Sequence, residues 1–117
     1  MWLMTKHGFY SIVEKEPDLF HVRSRERQDI ENLVQRVPLP DAEISFSDTT
    51  DYQYRVIVGK DDVLKIMHFL GNTIDYGNFK NKIAATTDQA HKHHAYGKIW
   101  QVLADALGAY GRRGHTK

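Results

Sequence analysis

Residues 9 to 25, FYSIVEKEPDLFHVRSR, place two alternating runs on either side of Pro17-Asp18. Tyr10, Ile12 and Glu14 alternate with Phe9, Ser11 and Val13, and Leu19 to Arg25 follows the proline. Period-two alternation is the mark of a strand, because successive side chains point to opposite faces, and Pro-Asp is turn chemistry. The spacing predicts a β-hairpin, and a hairpin commits the chain to an antiparallel sheet from its first elements.

The remaining elements follow in order. Residues 2–5 offer a short extra strand before Gly8. In SRERQDIENLVQRVPLP, Ser24 is a candidate N-cap for a helix carrying Ile30, Leu33, Val34 and Val37, which Pro38 and Pro40 stop. AEISFSD alternates over Ile44 and Phe46 as a short strand, and YQYRVIVGK is a strand rich in aromatic and β-branched residues. Asp61 or Asp62 then opens a helix with Val63, Ile66, Met67 and Leu70 on one side, closing near Gly71-Asn72. Residues 75 to 85 read as a turn or short helix, and Asp88 as the cap of a last helix with a Tyr96, Ile99, Trp100, Leu103 and Leu107 stripe.

From the second hairpin strand onward the order is strand, helix, strand, strand, helix. That string predicts an α+β fold with an antiparallel four-stranded sheet. It is a ferredoxin-like variant with an N-terminal hairpin, whose first strand takes the place of the missing edge strand, and with helices on one face. The domain expectation is one α+β domain over residues 1–108 followed by a flexible, glycine-rich basic tail over 109–117.

Composition narrows the function classes. The 117 residues suffice for one core, and 41% hydrophobic with 26% charged residues is ordinary globular usage. Sixteen Lys and Arg against fifteen Asp and Glu leave a net charge of +1, so any affinity for nucleic acid rests on a local cluster rather than on a global field. The absence of cysteine excludes disulfides, thiolate metal sites and a cysteine nucleophile, and fits a reducing compartment. No apolar run approaches the ~20 residues that span a bilayer, and Lys6, His7 and Gly8 end the apolar start too early for a signal peptide. The expectation is a cytoplasmic protein without membrane attachment.

Strand alternation sorts the charged residues. With Phe20 and Val22 toward the helices, His21, Arg23 and Arg25 point to the opposite face. On the aromatic strand Tyr52, Tyr54, Val56 and Val58 form one set and Gln53, Arg55 and Ile57 the other. In the expected strand order Arg55 lies near Arg23 and Arg25, with His21 and Gln53 beside them, Tyr54 assisting from the strand end and Tyr10 at the border if Phe9 and Val13 take the core side. Three guanidiniums suit phosphate, and tyrosines suit base stacking. The same residues also read as a solvated sheet face laced with Arg–Glu pairs to Glu14 or Glu43.

Other constellations are thinner. His91 and His94 in HKHH share a helix face, but no third ligand stands nearby, so no metal and no cofactor is expected. His21 beside Arg23 is the one arrangement with a general base near a phosphate clamp. No phosphate-binding loop, dinucleotide fingerprint or nucleophile elbow is present. In DYGNFK, residues 75–80, Asp75 reads as the cap of a short helix with Tyr76 and Phe79 clasping the core, while Asn78 and Lys80 point toward the arginine site.

The ordered strings WLMTKHGFYS, RSR, DYQYR and DYGNFK, with Ile99-Trp100 in the last helix, resemble a family of small uncharacterised bacterial proteins. That family carries W-x-x-T-x-x-G-F-[FY]-S, R-x-R, D-Y-x-[YF]-R and D-Y-x-N-F-K motifs. The resemblance spans nearly the whole chain, implies one intact domain, and brings no catalytic residue or cofactor with it. It implies that Trp2, Thr5, Gly8, Phe9, Arg23, Arg25, Asp51, Tyr52, Arg55, Asp75, Tyr76, Asn78, Phe79 and Lys80 are signature positions.

Two readings of function stay open. One is a binding module in which Arg23, Arg25 and Arg55, with His21, Tyr54, Asp75, Asn78 and Lys80, hold RNA or another phosphate-bearing ligand. The other is a protein-interaction or homodimeric domain, favoured by exposed Tyr, Arg and Trp.

Overall fold

The computed structural model describes residues 1–108, so the expected basic tail, 109–117, lies outside the described residues. The chain gathers into two compact units, the first Met1–Gly77 and the second beginning at Asn78.

The first unit holds an antiparallel sheet with strand order β1-β2-β3-β5-β4. Its strands are β1 (Trp2–Thr5), β2 (Gly8–Glu16), β3 (Leu19–Ser24), β4 (Ser45–Phe46) and β5 (Tyr54–Val58). The hairpin, the pairing of β3 with β5 and the helix positions follow the sequence expectation, but the sheet has five strands rather than four. Residues 2–5 form the added edge. The turn that joins them to β2 is built by Thr5, whose Oγ1 accepts from the His7 and Gly8 N–H groups and donates to the Gly8 carbonyl. Strand β4 is only two residues long, so Ile44 packs on the core from a loop.

Helices α1 (Arg27–Val34) and α2 (Lys60–Asn72) supply the other layer. Tyr10, Ile12, Phe20, Val22, Val56 and Val58 of the sheet meet Ile30, Leu33, Val63, Ile66 and Leu70 of the helices in one apolar core. The parity on β2 is therefore opposite to the one that would put Tyr10 beside the arginines. Tyr10 is fully buried and its hydroxyl donates to the Asp29 carbonyl at 2.7 Å, while Phe9 and Val13 point away from the helices. The Asp29 side chain accepts from the Phe9 N–H at 3.1 Å, which locks α1 onto the start of β2.

Helix boundaries depart from the expected caps. Glu26, not Ser24, is the N-cap of α1, and the Ser24 hydroxyl instead donates to the Glu26 carbonyl. The helix ends at Val34, and a hydrogen-bonded turn closes it before Pro38, the Gln35 N–H donating to the Glu31 carbonyl and the Arg36 and Val37 N–H groups to the Leu33 carbonyl. Gly59 is the N-cap of α2 and has no side chain to offer. The Lys60 N–H donates to Asp18 Oδ1 at 2.8 Å, so the hairpin turn caps the helix from a distance.

The second unit contains α3 (Phe79–Ala85), a 3-10 turn (Ala90–Lys92) and α4 (His93–Leu107). Asn78, not Asp75, caps α3 by accepting from the Asn81 N–H at 2.9 Å. Phe79 packs against Tyr96, ring centroids 5.4 Å apart. Asp88 lies before the 3-10 turn and is not the cap of α4, whose N-cap is Lys92. Tyr96 is buried, but Ile99, Trp100, Leu103 and Leu107 of the expected stripe are exposed.

Candidate anion site on the sheet

Direct cross-strand partners carry their side chains on the same face. The registers Trp2↔Ser11, Ser11↔Arg23, Arg23↔Arg55 and Ser45↔Arg55 therefore draw one row across all five strands, on the face turned away from α1 and α2. The next row on that face is Val13, His21 and Ile57. The strand order read from the sequence thus brings His21, Arg23 and Arg55 together as expected.

What organises the cluster is Tyr52, a buried residue just before β5. The guanidinium carbons of Arg23 and Arg25 lie 4.7 and 4.5 Å from the centroid of its ring. Its carbonyl accepts from Arg55 Nη2 at 3.1 Å. Arg25 follows β3 and donates through Nη1 to the Asp51 carbonyl at 2.9 Å. Asp51 in turn accepts the Tyr52 N–H on its own carboxylate. The segment DYQYR is thus a small scaffold that holds two guanidiniums against the Tyr52 ring and the third on the Tyr52 carbonyl. Guanidinium–ring contacts of this kind are worth about 0.5–2 kcal/mol each, depending on desolvation.

The remaining partners of the guanidiniums are uncharged. Arg23 Nη2 donates to Ser11 Oγ at 2.6 Å, and the Arg23 Nε is buried with no hydrogen-bond partner among the described residues. Arg55 Nη1 meets His21 Nδ1 at 3.0 Å. No carboxylate forms an ion pair with any of the three among the described residues; ion pairs elsewhere include Lys6–Asp75, Arg27–Glu31 and Lys65–Asp62. Glu14, a candidate counter-charge by sequence, sits opposite Phe20 in the parity of Tyr10 and Ile12, and its carboxylate accepts from the Asp18 N–H.

The Arg55 contact also fixes the chemistry of His21. A guanidinium only donates, so Nδ1 must accept, and the proton of the neutral ring sits on Nε2. Burial first, and then the charges of Arg55, Lys15 and Arg23, hold the His21 pKa below its ordinary 6.5, against a weaker opposing pull from Glu16. His21 therefore presents an N–H donor to its surroundings while its basic nitrogen is occupied, which suits anion binding better than general-base chemistry.

The other sequence candidates sit differently. Tyr54 is on the core side of β5, in a tilted contact with Phe46 at 5.1 Å between centroids, and does not join the arginines. Asp75 pairs with Lys6 at 3.0 Å, and none of the three guanidiniums pairs with it. Asn78 and Lys80 belong to the second unit, where Asn78 is a helix cap and the Lys80 ammonium lies 5.0 Å from the Trp100 ring centroid. Tyr52 belongs to the cluster although strand parity places it with Tyr54, because it stands two residues before the start of β5 and outside its alternation; the D-Y-x-Y-R motif is its signal in the sequence.

No group of three His, Cys, Asp or Glu side chains is placed to hold a metal ion among the described residues, His91 and His94 included. No helix among them is long and apolar enough to cross a membrane. A groove of about 520 Å³ lined by Val37, Pro38, Leu64 and Phe69 with Arg36 and Lys65 belongs to the helix layer, not to the arginine row. Comparisons with protein-family models, curated proteins and solved structures find no match.

Proposed function

We propose that the chain is a small binding module whose arginine-bearing sheet face takes the phosphate groups of RNA or another phosphate-bearing ligand. One observation carries this reading: Arg23, Arg25 and Arg55 are gathered around Tyr52 with uncharged partners alone. A fold that clusters three cations without a counter-ion holds a site that an anion completes, and guanidiniums match phosphate oxygens in a two-pronged geometry. The sheet order β2-β3-β5-β4, with α1 after β3 and α2 after β5, supports a ferredoxin-like ancestry, and open sheets of that kind commonly present RNA-binding surfaces. The resemblance to the W-x-x-T-x-x-G-F family and a cytoplasmic location belong to the same proposal.

The test is fluorescence anisotropy with short labelled RNA at low and near-physiological salt, wild type beside Arg23→Ala/Arg55→Ala, with both proteins checked for folding. Saturable binding that weakens with salt and disappears in the double variant is the expected result. Equal binding by the two proteins would overturn the assignment.

A second reading, self-association or a protein partner, is favoured by α4. Trp100, Leu103 and Leu107 expose 50%, 48% and 74% of their surface along one side of this helix. Sedimentation velocity across a wide concentration range, with Leu103→Lys as control, tests it: concentration-dependent association lost in the variant supports this reading, and a monomer throughout removes the self-association part.

A further inference from the structure

Trp2 exposes 74% of its surface although its backbone is firmly placed. The Met1 amino group donates to the Ile12 carbonyl at 3.0 Å, the Ile12 N–H donates back to Met1 at 2.9 Å, and Trp2 itself sits opposite Ser11. The strand is fixed and the indole is displayed. Nothing in the core needs that ring, since β1 packs inward through Leu3.

The register puts the indole at one end of the arginine row, on the same face as Ser11, Arg23 and Arg55. Backbone to backbone, β1 and β3 are separated by roughly 10 Å, two interstrand spacings. Arg23 Nη2 reaches Ser11 on β2, the strand between them, which leaves a span that a nucleotide bridges, phosphate on the guanidiniums and base on the indole. Met4 and Phe9 form the neighbouring cross-strand pair on this face and continue its apolar end. A free phosphate would use the guanidiniums and leave this apolar end idle. A single-stranded nucleic acid would use both, because every base has a flat face that stacks on an aromatic ring whatever its sequence.

We propose that Trp2 is a stacking platform for a base of a single-stranded nucleic acid whose phosphates lie on Arg23, Arg25 and Arg55. This deepens the phosphate-binding reading above and rests on it. The ligand class becomes a base-bearing strand, RNA or DNA, with little sequence preference, since the row offers ring and cations and no edge-reading pair.

The experiment uses the full chain in a Trp100→Phe background, which leaves Trp2 as the remaining one of the two tryptophans. Trp2 emission is followed on titration with a uridine hexaribonucleotide, the matching deoxyribonucleotide, and an abasic hexamer of the same sugar-phosphate chain. Saturable quenching by both base-bearing strands, and none by the abasic one, is expected. By anisotropy, Trp2→Ala should lose roughly ten- to a hundredfold in affinity for the base-bearing strands and keep its affinity for the abasic hexamer, while Trp2→Phe retains most of the binding. Quenching by the ribo strand alone would restrict the class to RNA and still support the platform. Arginine-dependent binding that is the same with and without bases, and is indifferent to Trp2→Ala, would overturn the platform and leave the phosphate site standing. No binding of any hexamer at micromolar protein and low salt would overturn both.

Discussion

Arg23 and Arg55 stand directly opposite each other on β3 and β5, two full positive charges in one cross-strand pair. Like charges in that position cost about 0.2–1 kcal/mol, and only uncharged acceptors offset it here: Ser11 for one, His21 and the Tyr52 carbonyl for the other. The free protein is therefore held in a conformation that an anion improves. At constant ionic strength, replacing chloride by pyrophosphate should raise Tm, with about 2.7 kcal/mol of stabilisation at a hundred times the dissociation constant. In Arg23→Gln/Arg55→Gln that gain should vanish while the protein stays folded. An equal gain in both proteins would put the anion elsewhere.

The same contact makes His21 a reporter. Its folded pKa lies below 6.5 through burial and the nearby Arg55, Lys15 and Arg23 charges. Between that lowered value and 6.5 the unfolded chain holds the proton and the folded chain does not, so stability rises with pH through that interval. It is fully present above 6.5 and is lost as pH falls toward the folded pKa. Urea denaturation between pH 5 and 7.5 should show this slope, and His21→Gln should flatten it. NMR titration of the His21 ring gives the direct check, since a midpoint at or above 6.5 would contradict the Arg55 contact.

Gly8 is a packing requirement at the other end of the sheet. A Cβ there would lie 2.5 Å from the Asp29 side chain and 2.8 Å from the Tyr10 hydroxyl, the two groups that tie α1 to β2. Gly8→Ala must push Asp29 off the Phe9 N–H or Tyr10 off the Asp29 carbonyl. Overpacking together with a broken buried hydrogen bond should cost about 2–4 kcal/mol. The urea midpoint should fall with an unchanged m-value; a loss under 1 kcal/mol would mean that the turn moves aside freely.

These residues also show where the sequence is legible. The hairpin and the partnership of β3 with β5 rest on period-two alternation and strand order, both local patterns, and they were enough to bring Arg23 and Arg55 together. The parity of β2 was not decidable locally, because Phe9, Ser11 and Val13 are hardly less apolar than Tyr10, Ile12 and Glu14. A contact between Tyr10 and Asp29, nineteen residues apart, settles it. Tyr52 escapes strand parity for a similar reason: it precedes β5, and its ring faces the arginines by virtue of the loop's path rather than of strand alternation. In DYGNFK the polar groups proved mostly architectural, with Asp75 on Lys6 and Asn78 capping α3.

The cap of α2 is the least local of these devices and the most separable by mutation. Asp18 stands at the hairpin turn with φ 60, the left-handed region, and its carboxylate accepts from the Lys60 N–H, 42 residues later. Two effects coincide in one side chain. Asp tolerates that backbone region better than most residues, and a carboxylate at a helix N-terminus satisfies an orphan donor and meets the positive end of the helix dipole. Asp18→Gly keeps the backbone freedom and removes the cap, so it should lose only the cap, about 1 kcal/mol. Asp18→Ala loses both and should cost about 2 kcal/mol. Asp18→Asn keeps the turn and an acceptor and should lose only a few tenths, mainly the dipole contribution that salt screens. Denaturation of the three variants at low and high salt separates these contributions. If Gly and Ala prove equally damaging, the turn backbone carries no strain and the cap alone ties the hairpin to α2.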